Sequence, residues 1–166
     1  MIHENNYVEF VDGSTTKIDS IIVCTGYKHN FRFIDDDIKL KTRDRFVNDG
    51  LYKNTVFIKN NNLFYMGMMK QIFPMLYFDV QAHFIRDIIL EKILLPTQDG
   101  QLKNLLQNQQ FEDSQVKYLE TEKILHLQAD HVKELADLTR YPKPNFNILI
   151  ENFKNAEKHK FARVDL

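Results

Sequence analysis

Apolar and polar positions change their rhythm near Pro96. Before it the apolar residues come in short runs broken by Gly, Asn and Asp; after it they recur at helical spacing within polar segments. Tyr7–Val11 alternates and runs into Asp12-Gly13, a strong short-range hairpin signal, with Thr15–Val23 as the partner strand. Within the run Ile18–Tyr27, the stretch Ile21-Ile22-Val23-Cys24 stops at Thr25-Gly26-Tyr27. A continuous apolar run stopped by glycine predicts a strand buried on both faces. Open α/β sheets place ligands at the carboxyl ends of such strands, and a plain strand-then-turn stays the alternative. Asp35-Asp36-Asp37 reads as a solvated turn and Asp49-Gly50 as another. Thr55–Ile58 reads as a strand, Asn60–Asn62 as a loop, and Leu63–Met66 as a strand ended by Gly67.

The clearest helix is predicted over Asp79–Leu94. Val80, Phe84, Ile85, Ile88, Ile89 and Leu94 share one face, Asp79 is placed as N-cap, and Pro96 lies past the end. Three more helices are expected beyond Pro96: one from Gln115 through Tyr118 and on, one over Leu127–Leu138, and one over Asn147–Lys158. Tyr141-Pro142-Lys143-Pro144 separates the last two, because proline ends a helix and restricts the residue before it. The shift in composition places a boundary near Pro96, with an α/β portion over 1–95 and an α-helical extension over 96–166.

The chain is 43% apolar and 27% charged, which predicts a packed core rather than disorder. Its net charge of -1 lacks the basic excess that neutralises phosphates, so no nucleic-acid partner is expected. Cys24 is the only cysteine. No internal disulfide and no cysteine-rich zinc site can form, the plain compartment is a reducing cytoplasm, and Cys24 itself reads as an inert buried thiol. The opening residues carry no secretory pattern. Leu63–Phe78, the most apolar stretch, is interrupted by Lys70, Gln71 and Pro74 and falls short of the ~20 apolar residues of a membrane span.

Candidate chemistry is sparse. The five glycines (Gly13, Gly26, Gly50, Gly67 and Gly100) include no Gly-x-Gly, so the chain has neither a dinucleotide fingerprint nor a P-loop. No serine sits in a nucleophile elbow, and the six histidines form no cluster with metal-ligand spacing, so neither a catalytic residue nor a metal is expected. His83 and Asp87, one helical turn apart, read as a hydrogen-bonded pair. Gly67–Phe78 lies between a strand and a helix and is rich in Met and aromatic side chains around one neutral amide, Gln71. It reads either as a loop covering the core or as a wall against a flat aromatic ligand, with Gln71 donating and accepting at the polar edge.

Several of these stretches resemble one family. Asp19-x₄-Cys24-Thr25-Gly26-Tyr27 is similar to the second Asp-x₄-(Ala/Cys)-Thr-Gly-Tyr element of flavin-containing monooxygenases. Leu51-Tyr52-Lys53 resembles the family's Leu-Tyr-Lys segment. Gly67-Met68 through Gln71, Phe78-Asp79-Val80-Gln81-Ala82 and Arg86-Asp87 resemble the flavin-side loop and following helix of bacterial members, trimethylamine monooxygenases among them. The likeness continues through Leu127–Pro142 and the helix after it. The fold class it implies is α/β: the C-terminal part of a flavoprotein with two dinucleotide-binding domains, a β-hairpin and strands followed by a helical extension. The FAD and NADPH fingerprints of the family lie upstream of the matched region and have no counterpart here.

The resemblance implies FAD and NADPH as cofactors, with O₂ and a small amine or sulfide as substrates. Oxygen passes from a flavin C4a-hydroperoxide to a soft nitrogen or sulfur nucleophile in a site kept dry. The chain alone is expected to be inactive. Carried over by position, Gln71 matches a glutamine that contacts the flavin. Pro74 stands where bacterial members have a Ser or Thr contact, and proline keeps only its carbonyl and its packing surface. Asp44 lies near an Asn that contacts NADP, where an acid repels phosphate. Lys70 replaces an Asp thought to face the amine, and a lysine disfavours a cationic amine, so trimethylamine is not implied. Two rivals stay open: a non-catalytic interaction module derived from such an enzyme, and a fragment of a Baeyer–Villiger-type monooxygenase. A homodimer of the full-length protein stays open as well.

Overall fold

The computed structural model describes residues 6–26, 29–42, 46–69, 71–115 and 121–161. The chain divides into two compact units, Met1–Asn30 and Phe31–Leu166.

The first unit is a hairpin. β1 (Tyr7–Glu9) pairs antiparallel with β2 (Thr15–Lys17), Val8 opposite Thr16. The Asp-Gly signal forms the turn as expected. The Gly13 N–H donates to the Phe10 carbonyl (3.0 Å), Gly13 takes φ +82°, and the Asp12 carboxylate accepts from both the N–H and the hydroxyl of Ser14. Beyond Lys17 the expectation fails. Ile18–Val23 is not a strand, and Ile22 and Val23 are 86% and 74% exposed. A strand buried on both faces needs neighbouring strands and covering helices, and the described residues of this unit hold only the hairpin. Cys24 is therefore exposed rather than buried. Tyr27 lies outside the described residues.

The second unit opens its regular structure on β3 (Leu51–Tyr52), paired with β4 (Val56–Phe57). The turn between them puts Lys53 and Asn54 at φ +51° and +49°, the two left-handed positions of a type I′ turn, and the Thr55 N–H closes it on the Tyr52 carbonyl. The expected strand Leu63–Met66 is reduced to one bridge, Phe64 to Val56, flanked by bonds from Phe57 to Leu63 and from Tyr65 to Thr55.

Four helices follow: α1 (Pro74–Ile89), α2 (Gln98–Gln115), α3 (Thr121–Leu138) and α4 (Phe146–Phe161). α1 starts five residues before the expected N-cap. Pro74 sits in its first turn, where its missing N–H has no intrahelical partner to lose, and Asp79 is interior. Tyr77, Val80, Gln81, Phe84 and Asp87 form the buried face of α1. The helix ends at Ile89, five residues before the expected Leu94, and Ile89 and Leu94, expected on the core side, are 64% and 86% exposed. α3 packs on α1 through Ile124, Val132 and Leu135, and the shared core gathers Phe46, Val56, Met69 and Leu105 as well.

α2 is a helix the pattern does not announce; it ends at Gln115, and the helix expected from there through Tyr118 falls on residues 116–120, outside the described residues. The buried face of α2 carries Gln101, Leu105 and Glu112, so no apolar stripe announces it. Polar side chains dock it instead. Gln101 donates to the Pro96 carbonyl and to Asn61, Gln98 donates to the Ile58 carbonyl, and the Glu112 carboxylate accepts the N–H groups of Phe46 (2.7 Å) and Val47 (3.0 Å).

The end of α1 yields a stability prediction. Leu90 is the C-cap, the Glu91 N–H donates to the Ile88 carbonyl and the Lys92 N–H to the Asp87 carbonyl, which is the Schellman pattern. The residue that must go left-handed there is Glu91 (φ +55°) rather than glycine. Glu91→Gly is expected to stabilise by about 1 kcal/mol, because glycine takes this conformation without the Cβ–carbonyl clash. A thermal melt checks it: the midpoint should rise by about 2–4 °C, and a fall would contradict the assignment.

Candidate functional site: the Gly67–Pro74 loop

The loop between the Phe64 bridge and α1 is fixed at both ends by side-chain amides. At its start the Gly67 N–H donates to Gln81 Oε1 (3.0 Å). The Met68 carbonyl accepts from Asn48 Nδ2 (2.9 Å), and the Met69 sulfur lies 3.6 Å from Asn54 Nδ2. At its end Gln128 Oε1, reaching from α3, accepts the N–H groups of Ile72 (2.6 Å) and Phe73 (2.8 Å). α1 has no side-chain cap of its own at Phe73, and Gln128 instead fixes, from another helix, the two residues that lead into it.

Gln71 stands half-buried between these anchors. Its Nε2 donates to the Gly67 carbonyl at 2.8 Å, and among the described residues nothing donates to its Oε1. The amide is thereby turned so that an acceptor oxygen is on offer. Gly67 has to be glycine on two grounds: φ is +74°, and a Cβ there would stand 2.6 Å from the Phe78 ring and 3.1 Å from Gln71 Nε2. Met66, Met75 and Phe78 expose apolar surface on this loop and on the start of α1, whereas Met69 is in the core. The core-covering reading of the Met-rich stretch holds for Met69, while Met66, Met75 and Phe78 leave apolar surface uncovered.

Gln81 is the hub beneath the loop. It is fully buried, accepts from Gly67, and through Nε2 donates to Thr55 Oγ1 (2.8 Å), the Tyr77 hydroxyl (2.9 Å) and the Asn54 carbonyl (3.3 Å). Burial pushes the Tyr77 phenol well above its ordinary range, which keeps it neutral. Sequence reasoning picked Gln71 and overlooked Gln81 and Gln128 as a pair of anchors. The signal for both is a glutamine at a position where the helical apolar stripe of α1 or α3 calls for a hydrophobic residue.

Of the other site residues read from the sequence, Pro74 occupies the first turn of α1 directly after this loop, while Asp44 and Lys70 lie outside the described residues. His83 does not pair with Asp87. Its Nδ1 lies 3.0 Å from the Asp79 carbonyl and 3.7 Å from the Asp79 carboxylate, and its ring meets Tyr141 edge-on. Arg86 Nε donates to Asp87 at 2.8 Å, and that bond holds the Asp87 carboxyl below the usual range. Asp79, expected as a cap, accepts instead from the Tyr141 hydroxyl (2.7 Å). Among the described residues no three His, Cys, Asp or Glu side chains form a metal-holding group. No helix among them is long and apolar enough to cross a membrane.

The family model described as flavin-binding monooxygenase-like matches residues 2–161. A trimethylamine monooxygenase of Roseovarius sp. (strain 217) is 38% identical over 157 residues, covering 95% of this chain and 35% of the relative. That of Roseovarius nubinhibens is 40% identical over 154 residues, with 91% and 33% covered. The crystal structure of Tmm from Pelagibacter sp. strain HTCC7211 superimposes with a TM-score of 0.80 at 36% identity, over 93% of this chain and 34% of that one. The S-allyl-L-cysteine S-oxygenase of Allium sativum shares the fold at a TM-score of 0.74 and 23% identity. The chain thus spans about a third of the length of the relatives it matches. With the Gly67–Gln81 segment and the helices behind it inside the matched range, the chain belongs to the flavin-binding monooxygenase-like family.

Proposed function

We propose that this chain serves as the C-terminal part of a flavin-dependent, NADPH-using monooxygenase that oxygenates a soft nitrogen or sulfur nucleophile. Residues 1–95 then finish the FAD- and NAD(P)-binding region and 96–166 form its helical extension. The observation that carries this reading is Gln71: inside the matched range, a fixed amide offers one acceptor oxygen beside exposed Met and Phe surface. That donor–acceptor set fits the polar edge of a flat heteroaromatic ring such as isoalloxazine. It does not fit the pyrophosphate of FAD, for which the five glycines supply no Gly-x-Gly cradle.

Bound FAD would supply the redox and oxygen-transfer chemistry. This chain's residues would orient and shield. Gln71 accepts at the ring edge, Gly67 keeps the backbone low enough for Phe78 and Gln71 to close beside it, and Met66, Met75 and Phe78 exclude water from that wall. Pro74 contributes packing and helix geometry rather than a hydroxyl. Asp44 is carried in the proposal as a residue near NADP, by position only.

The same proposal makes the 166-residue chain inactive and unable to hold FAD tightly by itself. Purified chain mixed with excess FAD and passed through a desalting column should emerge colourless. A stoichiometrically yellow protein would overturn the claim that the missing phosphate loops are indispensable.

A further inference from the structure

The carboxamide of Gln128 uses only half of itself. Its oxygen takes the N–H groups of Ile72 and Phe73 at 2.6 and 2.8 Å, while its Nε2 is fully buried and without a hydrogen-bond partner among the described residues. A buried, unmatched NH₂ is unfavourable, so the contribution of this side chain lies in its oxygen. That oxygen fixes the two residues that directly follow Gln71. On the other side Gln81 fixes Gly67, whose carbonyl in turn holds Gln71 Nε2. Three hydrogen bonds to side chains of two helices therefore bracket Gln71, and its own bond to the Gly67 carbonyl decides which end of its amide faces outward.

We propose that Gln128 is a positioning residue for the flavin-side contact. With Gln81 it sets the backbone at Gly67, Ile72 and Phe73 so that Gln71 presents its carboxamide oxygen, an acceptor suited to an N–H of the ring. This inference rests on the flavin reading above. Gln128 touches no ring atom; it acts through Ile72 and Phe73. Because only the oxygen is used, glutamate at this position is expected to do the same work. One carboxyl oxygen accepts both N–H groups at the N-terminus of α1, and the other takes the buried place of Nε2, a cost to overall stability that leaves the acceptor for the loop in place. Leucine has the size but no acceptor, and frees the loop.

The test uses the complete flavoprotein, with Gln128→Leu, Gln128→Glu and Gln71→Met compared with the parent. Gln71→Met removes the amide and leaves the anchors, so it defines the flavin absorption shift that follows loss of the contact. Gln128→Leu should shift the flavin band in the same direction and lower the fraction of NADPH oxidation coupled to product by about tenfold, with the substrate KM little changed. Gln128→Glu should keep band position and coupling within about twofold of the parent. Gln128→Glu carries the test even where Gln128→Leu is too unstable to purify, since loss of band position or coupling in it overturns the inference. So does a flavin-loaded Gln128→Leu protein with the parent's spectrum and coupling. A parent protein that holds no flavin overturns the flavin reading and the inference together.

Discussion

Truncating Gln81 to alanine is expected to destabilise the protein by about 3–4 kcal/mol, lowering the thermal midpoint by roughly 10 °C. The side chain is completely buried, and its two ends hold four groups: the Gly67 N–H, Thr55 Oγ1, the Tyr77 hydroxyl and the Asn54 carbonyl. Thr55 and Tyr77 are themselves buried, so water cannot replace the lost partner without entering the core. Two effects add, the stranded polar groups and the cavity. Gln81→Leu separates them, because leucine fills most of the volume and repairs none of the hydrogen bonds; it should lie about 1 kcal/mol above the alanine variant. Urea unfolding of the three proteins gives both numbers. Equal midpoints for the parent and Gln81→Leu would mean that the network adds nothing to stability and that the loop is held by packing alone.

That network explains which parts of the molecule could be read from its residues. The Asp12-Gly13 turn, the strand within Thr55–Ile58 and the apolar faces of α1 and α3 obey local rules, and they form, whereas the two-residue strand Leu51–Tyr52 is too short to be announced. α2 is hidden because its buried face is polar and most of its docking partners, Phe46, Ile58 and Asn61, lie far away in sequence. α1 starts five residues before its apolar periodicity announces it because Phe73 is no capping residue and the chain entering the helix is held by Gln128, more than fifty positions downstream, to which no local rule points. Ile18–Val23 fails in the opposite way. The run has the composition of a buried strand, yet strand identity depends on neighbours, and the described residues of its unit provide none. At the site, Gln71 was legible as the one amide in an apolar loop. Gln81 and Gln128 were not, because buried polar anchors interrupt the very stripe that reveals a helix.

His131 should make stability depend on pH in a window set by its own burial. It lies on α3 with its side chain 8% exposed, its ring 5.8 Å from that of Tyr77, and its Nε2 without a hydrogen-bond partner among the described residues. A cavity of about 320 Å³ lies beside it, lined by Phe46, Phe111, Glu112, Asp130 and Glu134 among others. Burial pushes the imidazole down from 6.5 to about 4; the Glu134 carboxylate, 3.7 Å from Nδ1, opposes that shift and the Lys53 ammonium adds to it. Lys53 is itself buried and paired with Glu134, so the carboxylate is shared and cannot rescue a second cation fully. The folded protein therefore keeps His131 neutral where the unfolded chain has already taken up a proton. Between pH 6.5 and about 4 the unfolded state binds more protons, and stability falls as the pH falls. The full loss is on the order of 3 kcal/mol, and above pH 6.5 the contribution is complete. Carboxylates also titrate toward the acid end of this window, so the parent must be compared with His131→Gln, which keeps a polar side chain and removes the titration. The stability difference between the two, measured by urea unfolding at steps from pH 7.5 to 4.5, should shift in favour of the variant as the pH drops. Parallel curves would show that the imidazole takes up its proton without leaving the core.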